Sequence, residues 1–116
     1  MLYYSFTVNN KEYKCRLTAR ACVELEKRLG ENPLNVFIKI ANSEGNLPEL
    51  GSLMSILHAS LQSMEHNITL EKTYDIYDEF VDEGHTMMDL IPIILEIFKV
   101  SGFFNEEQAK NAQTVE

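Results

Sequence analysis

The chain has 116 residues, of which 45% are apolar and 24% are charged, a balance typical of a single globular domain. Its formal net charge of −8 disfavours non-specific binding to nucleic acid. Its two cysteines, Cys15 and Cys22, lack CxxC spacing, and no signal-peptide pattern precedes them. We therefore expect a cytoplasmic protein with reduced cysteines that needs no disulfide or metal to fold and binds no membrane.

Residues 2–17 predict a β-hairpin. Apolar and more polar residues alternate along 2–8 and again along 13–17, which is the periodicity of half-buried strands. Asn9 and Asn10 lie between them, and asparagine tolerates the positive φ of a two-residue turn. The resulting pairs share one apolar face, which must pack on the helices: Phe6 with Tyr13, Tyr4 with Cys15 and Leu2 with Leu17.

Two helices are predicted between the hairpin and residue 42. The first has Thr18 as a suitable N-cap and Gly30 as a suitable C-cap. The second begins at Pro33, since proline is favoured at the first helical position. Its predicted inward residues are Leu34, Phe37, Ile38 and Ala41. The polar segment 42–48 then predicts a loop.

The next two predicted helices are amphipathic. The first has apolar residues at helical spacing from Leu50 to Met64, and the other runs from its cap at Thr69 to Gly84. In the latter, the predicted inward stripe is Leu70, Tyr74, Tyr77 and Val81. Its other side is acidic, which is typical of a face exposed to solvent or to a partner.

The last predicted helix is the most apolar segment of the chain. Only four residues between 87 and 100 are not apolar, and they form one narrow stripe: Asp89, Pro92, Glu96 and Lys99. A surface helix normally has a wide polar face, so we interpret this helix both as the central core helix and as a surface bound by another protein. Its predicted N-cap is Thr86 or Asp89. We favour a start near Asp89, because proline is tolerated in a first turn, and we expect the helix to end at Gly102. Phe103 and Phe104 then fold back on the core.

These elements predict an α+β fold, mostly α, in which an N-terminal β-hairpin packs on a bundle of about five helices. We expect one globular domain over residues 1–104, with the hairpin in 1–17 and the helices in 18–104. Residues 105–116 are polar and predict a flexible tail.

No residue pattern indicates catalysis or a cofactor. The acidic run from residue 75 to 83 lacks the glycine and the final glutamate of an EF-hand loop, because Phe80 and Thr86 hold those positions. The three histidines have none of the usual metal-ligand spacings, and the glycines form no phosphate-binding loop. We therefore predict a binding protein that is not an enzyme and that holds no metal or cofactor.

Two sets of residues are candidates for protein contacts. The partner-binding candidates are Leu90, Ile94, Ile97, Phe98, Phe103 and Phe104. Residues 1–30 carry six Lys/Arg against three acids, whereas residues 31–116 carry four against fifteen. This asymmetry favours head-to-tail self-association. Its candidate residues are the basic Lys14, Arg16, Arg20 and Arg28 and the acidic Glu71, Asp75, Asp78 and Asp82.

Three segments carry a family resemblance: VNNKEYKCRLTARACVELEKRLGENPL (8–34), ILHASLQSMEHNITLEKTYDIYDEFVDEG (56–84) and DLIPIILEIFKVSGFF (89–104). Their order and spacing resemble the tail assembly chaperones of long-tailed phages and prophages of Gram-positive bacteria. The resemblance implies a protein that coats the tape measure protein, keeps it soluble until tail-tube subunits polymerise around it, and is absent from the mature virion. The alternative is a structural or regulatory phage protein, a connector or an adaptor, that binds another protein.

Overall fold

A computed structural model gives the architecture of the chain and describes residues 2–35, 38, 48–105 and 107. Within these ranges the elements are β1 (Tyr4–Val8), β2 (Lys11–Cys15), α1 (Ala19–Leu29), α2 (Leu50–Met64), α3 (Leu70–Asp82) and α4 (Met87–Val100). This is the predicted α+β class, with a hairpin followed by helices. The described residues form four helices, whereas about five were predicted.

The second predicted helix, at residues 33–41, lies largely outside the described residues. So do most of the predicted loop at 42–48 and most of the tail at 105–116. Of the four residues predicted to face inward in that helix, Leu34 packs on the core. Ile38 is exposed, so its predicted inward position is wrong.

The hairpin has the predicted register at two of the three predicted pairs. Phe6 lies opposite Tyr13 and Tyr4 opposite Cys15, and the turn residues Asn9 and Asn10 have φ values of 54° and 62°. The third predicted pair is wrong because the ladder ends at Tyr4. Leu2 is 69% exposed, while Leu17 is buried. The backbone N–H of Leu17 instead donates to Ser101 Oγ at 2.8 Å.

Helix α2 occupies the centre of the fold, since α1, β2, α3 and α4 all pack on it. Its buried residues lie on more than one side of the helix: Leu53, Met54, Ile56, Leu57, His58, Ser60 and Leu61. Two hydrogen bonds of Ser60, one made by its hydroxyl and one by its backbone carbonyl, satisfy polar groups of α2 in this apolar setting. Ser60 Oγ donates to Leu57 O at 2.8 Å, and Ser60 O accepts from the N–H of Arg16 at 3.0 Å. The hairpin is thereby attached directly to the central helix.

Helix α3 buries only part of the predicted stripe, since Leu70 and Tyr77 pack on the core as predicted and are partly buried. Its buried residues are Thr73, Ile76 and Phe80, whereas Tyr74 and Val81 are 41% and 40% exposed. The prediction failed because it treated Thr73 as polar. The hydroxyl of Thr73 donates to Thr69 O at 3.0 Å, so this side chain is buried without losing a hydrogen bond. The buried face of α3 is therefore rotated about the helix axis, away from the predicted stripe of large apolar residues.

Helix α4 begins at Met87, with Thr86 as its N-cap, and not near Asp89 as predicted. The carboxylate of Asp89 accepts the backbone N–H of Thr86 at 2.9 Å, which is a capping interaction from the third helical position. Pro92 is consequently inside the helix. Because proline has no N–H, the carbonyl of Met88 receives no intrahelical hydrogen bond from position 92.

The end of α4 agrees with the prediction. Gly102 has a φ of 91°, a conformation that glycine adopts without a steric penalty. The chain then reverses, and the N–H of Phe103 donates to Phe98 O at 3.1 Å. The ring of Phe103 lies edge-on to that of Phe98, with centroids 4.9 Å apart. This reversal returns an aromatic side chain to the core.

The substitution Pro92→Ala should stabilise the domain. Pro92 is exposed, so alanine removes no buried contact and restores the N–H that can bond to Met88 O. We expect the free energy of unfolding to rise by about 1–3 kcal/mol, measured by urea denaturation. A loss of stability would mean that the core requires the local distortion that proline introduces.

Candidate interaction surfaces

One side of α4 forms the core and cannot contact a partner while the domain is folded. Leu90, Ile94, Ile97 and Phe98 each have an exposed fraction of 0%. Four of the six predicted partner-binding residues are therefore corrected to core residues. Phe103 and Phe104, the other two, are partly buried and pack on the same core. The apolar residues on this side of α4 therefore belong to the hydrophobic core that stabilises the domain.

A neighbouring side of α4 is apolar and accessible. Met88 is 54% exposed, Ile91 and Leu95 are partly buried, and Pro92 is exposed. Residues 88, 91 and 95 have spacings of three and four, which place them on one flank of a helix. We call Met88, Ile91 and Leu95 the α4 flank. The sequence shows this spacing of three and four, but the residues on the buried side of α4 have an equally regular helical spacing. The pattern alone therefore does not distinguish the two sides.

The acidic face of α3 is exposed as predicted. Glu71, Asp75, Asp78 and Asp82 are all exposed. No hydrogen bond or ion pair joins the side chain of any of the four to another residue in the part of the chain that the structure describes. Their charge is consequently available to solvent or to a partner.

Two further acids on α3 have an intramolecular role. The Oε1 atom of Glu79 accepts from Asn9 Nδ2, and the Oε2 atom of Glu83 accepts from the N–H of Asn9, both at 3.1 Å. These bonds attach the hairpin turn to the C-terminal part of α3. The sequence did not predict this pairing because 70 and 74 positions separate Asn9 from its two partners. It assigned both acids to the solvent-exposed face.

Three of the four basic residues predicted for self-association contact groups of their own domain. The ammonium of Lys14 lies 5.1 Å from the ring centroid of Tyr3. Arg16 donates to Leu2 O at 2.9 Å, and its Nε atom is buried without a hydrogen-bond partner among the described residues. Arg28 Nη1 lies 3.4 Å from His58 Nδ1. These three are engaged by their own domain.

Arg20 is the member of that set on the outward side of α1. Lys27 is exposed on the same side, and Val23 between them is 49% exposed. Val23 and Lys27 were not predicted as contact residues, because the charged residues and the inward-facing residues of α1 were considered separately. Their spacing from Arg20, at three and seven positions, could have identified the surface.

A groove of about 570 Å³ lies between α1 and α2, and both helices contribute polar side chains to it. Its main polar lining residues are Arg20, Glu24, Arg28, His58, Gln62 and His66. His58 is buried, and its Nε2 atom is 3.1 Å from Ile68 O. A carbonyl can only accept, so Nε2 carries the proton and Nδ1 accepts from Arg28.

This arrangement makes His58 a structural link and not a catalytic base. Burial lowers the pKa of His58, and the nearby charge of Arg28 lowers it further, while the bond to Ile68 O raises it in part. The imidazole is therefore neutral near pH 7, and both of its nitrogens are engaged. It joins α1, α2 and the segment before α3.

The described residues contain no evident reactive group. Burial, the main cause, raises the pKa of the Cys15 thiol to about 12, so it is not a nucleophile near neutral pH. No cluster of three or more His, Cys, Asp or Glu side chains that could hold a metal occurs in the described ranges. No helix in those ranges is long and apolar enough to cross a membrane.

These features define a class: a helical domain with an N-terminal hairpin, whose described surface has apolar and charged faces. The model of a family of unknown function, DUF6096, matches residues 5–116, and the chain therefore belongs to that family. No curated protein and no solved structure matches the chain. The resemblance to tail assembly chaperones accordingly stays a prediction.

The stability of the domain should decrease on acidification because of His58. Its pKa is lower in the folded state than the ordinary value of 6.5, so the unfolded chain takes up a proton first. The stabilisation is complete above about pH 6.5 and is lost as the pH falls from there through the lowered pKa. Thermal unfolding between about pH 7.5 and 5 would measure this loss.

The matched variant is His58→Gln. The glutamine amide can donate to Ile68 O and accept from Arg28 without titrating, so this part of the pH dependence should disappear. An unchanged pH profile in a folded variant would assign the dependence to other groups.

Proposed function

We propose that this protein is a phage tail assembly chaperone that coats the tape measure protein and keeps it soluble during tail assembly. The observation that best supports this function is the α4 flank of Met88, Ile91 and Leu95. It is a partly accessible apolar strip, with Met88 exposed and Ile91 packed against the core, on a helix whose other side is fixed in the core. An amphipathic helix of a partner can pack along such a strip.

A chaperone for a long helical rod needs apolar contacts that form and release repeatedly. A strip of three side chains buries limited area in each copy, so each contact is weak and reversible. Methionine at its exposed end adapts to differently shaped partners because its side chain is unbranched and flexible. Many copies along one rod then provide the total affinity.

The acidic surface complements this role. The formal net charge of −8 and the exposed carboxylates of α3 repel other coated complexes, which opposes aggregation of an apolar rod. The proposed site of action is the host cytoplasm. Tube subunits then displace the chaperone, and it does not enter the virion.

The test is co-expression with a fragment of a tape measure protein. Met88→Asp combined with Leu95→Asp places two charges in the α4 flank, and we expect affinity for the fragment to fall at least about 30-fold. The matched control is Leu2→Asp, at an exposed apolar residue of the hairpin, and it should bind normally. Soluble fragment and co-purification are the readouts, with circular dichroism to verify folding.

Two results would contradict the proposal in different ways. If the double variant is folded and still binds the fragment, the α4 flank is not the binding surface. If the unmodified protein fails to keep any fragment soluble, the chaperone function itself is wrong. The connector or adaptor alternative would then be preferred.

A further inference from the structure

The partly exposed side of α3 has the spacing of a coiled-coil seam. Leu70, Tyr74, Tyr77 and Val81 are separated by four, three and four positions, which is the alternation of a and d residues in a heptad. Tyr74 and Val81 take the a positions and are 41% and 40% exposed. Leu70 and Tyr77 take the d positions and are partly buried. We call these four residues the α3 seam.

Acidic residues border the α3 seam on one side. With Tyr74 at position a, Glu71 and Asp78 both fall at position e, and Asp75 and Asp82 fall at b. The two positions g hold Thr73 and Phe80, which are buried in the domain. A partner helix on this seam would therefore meet negative charge on its accessible side only, which favours a helix with basic residues.

The outer face of α1 has matching chemistry. With Val23 at position a, Ala19 and Glu26 fall at d, and Arg20 and Lys27 both fall at e. All five side chains are exposed. Within the described ranges, no ion pair or hydrogen bond joins the side chain of Arg20 or Lys27 to another residue. The face combines a small apolar centre with two positive charges one heptad apart and with one carboxylate, that of Glu26, at the seam.

We propose that copies of this chain associate head to tail, with α1 of one copy packed antiparallel on the α3 seam of the next. In an antiparallel pair, a residues meet d residues and the e positions lie beside each other. One register then satisfies four pairings: Ala19 with Val81, Val23 with Tyr77, Arg20 with Asp78, and Lys27 with Glu71. The same register places Glu26 opposite Tyr74, whose hydroxyl can donate to a carboxylate. A parallel pair would bring the basic e positions towards Thr73 and Phe80, where there is no carboxylate.

A second copy is the occupant because the complementary face is present on the same chain. Both helices pack on α2 through their inner sides, while Val23 and the a residues of the α3 seam stay exposed. The two faces are therefore not occupied by each other within one molecule. Their chemical difference makes the contact heterologous, and a repeated heterologous contact gives rings or helical filaments.

The contact should be weak and sensitive to salt. Helices α1 and α3 have 11 and 13 residues, so the seam spans about three turns. Much of the attraction is between exposed charges, which about 0.5 M salt screens beyond a few ångströms. We expect concentration-dependent association at low salt that diminishes as salt is added.

Two charge-reversal variants test the interface. The first carries Arg20→Glu and Lys27→Glu, and the second carries Glu71→Lys and Asp78→Lys. Each variant retains one intact face, but alone it should sediment as a monomer, with self-association weakened at least about tenfold. Mixed together, they should associate again into dimers and longer alternating assemblies, because the intact α3 seam of the first fits the intact α1 face of the second and the two reversed faces also fit each other.

A chain with all four substitutions should regain association, since both faces are reversed and again complementary. The control is Lys11→Glu with Lys14→Glu, which makes the same change in charge on exposed hairpin residues away from the seam. It should associate as the unmodified protein does. Sedimentation velocity over a concentration series measures every case, and circular dichroism verifies folding.

Three results would overturn the proposal: an unmodified protein that is monomeric at all concentrations in low salt, a mixture of the two variants that forms no dimer, or a control that dissociates as fully as the variants. None of these measurements includes a tape measure fragment. Failure of this interface is therefore separate from failure of the proposed function.

Discussion

The burial of α2 among α1, β2, α3 and α4 is the constraint on which the rest of the structure depends. Every other element must turn an apolar face towards this helix, because α2 is too apolar to be stable in water on its own. The outward faces of the surrounding helices are then free to differ. The outer face of α1 carries Arg20 and Lys27 together with Glu24 and Glu26, that of α3 is acidic, and the flank of α4 is apolar.

A small number of polar contacts fixes how these elements are oriented. Burial of apolar area has no direction, whereas a hydrogen bond has one. His58 connects α1 to the segment before α3, and Asn9 connects the hairpin turn to α3. Ser101 accepts from the strand-to-helix connection at Leu17. Together they connect the hairpin and three helices at defined positions.

The sequence was sufficient for features with a local cause. The asparagine turn determined the register of Phe6 and Tyr13, and Thr18 and Gly30 determined the ends of α1, because these signals act within a few residues. It was insufficient where tertiary packing decides. On an apolar helix such as α4, Ile94 and Ile91 are chemically equivalent, and only the position of α2 selects which is buried. Thr73 on α3 shows the same limitation. Its hydrogen bond to Thr69 O allows it to be buried, but the packing of α3 on α2 decides that its side of the helix faces inward.

The different environments of the two cysteines have a consequence for observing the domain in motion. Cys15 is fully buried beneath the hairpin, and burial raises the pKa of its thiol to about 12. Cys22 is only partly buried, on α1. A thiol reagent can therefore modify Cys22 with little rearrangement, whereas Cys15 reacts only after β2 has separated from α2. The rate at which a thiol reagent labels Cys15 is therefore a measure of how often the hairpin opens, without any engineered cysteine.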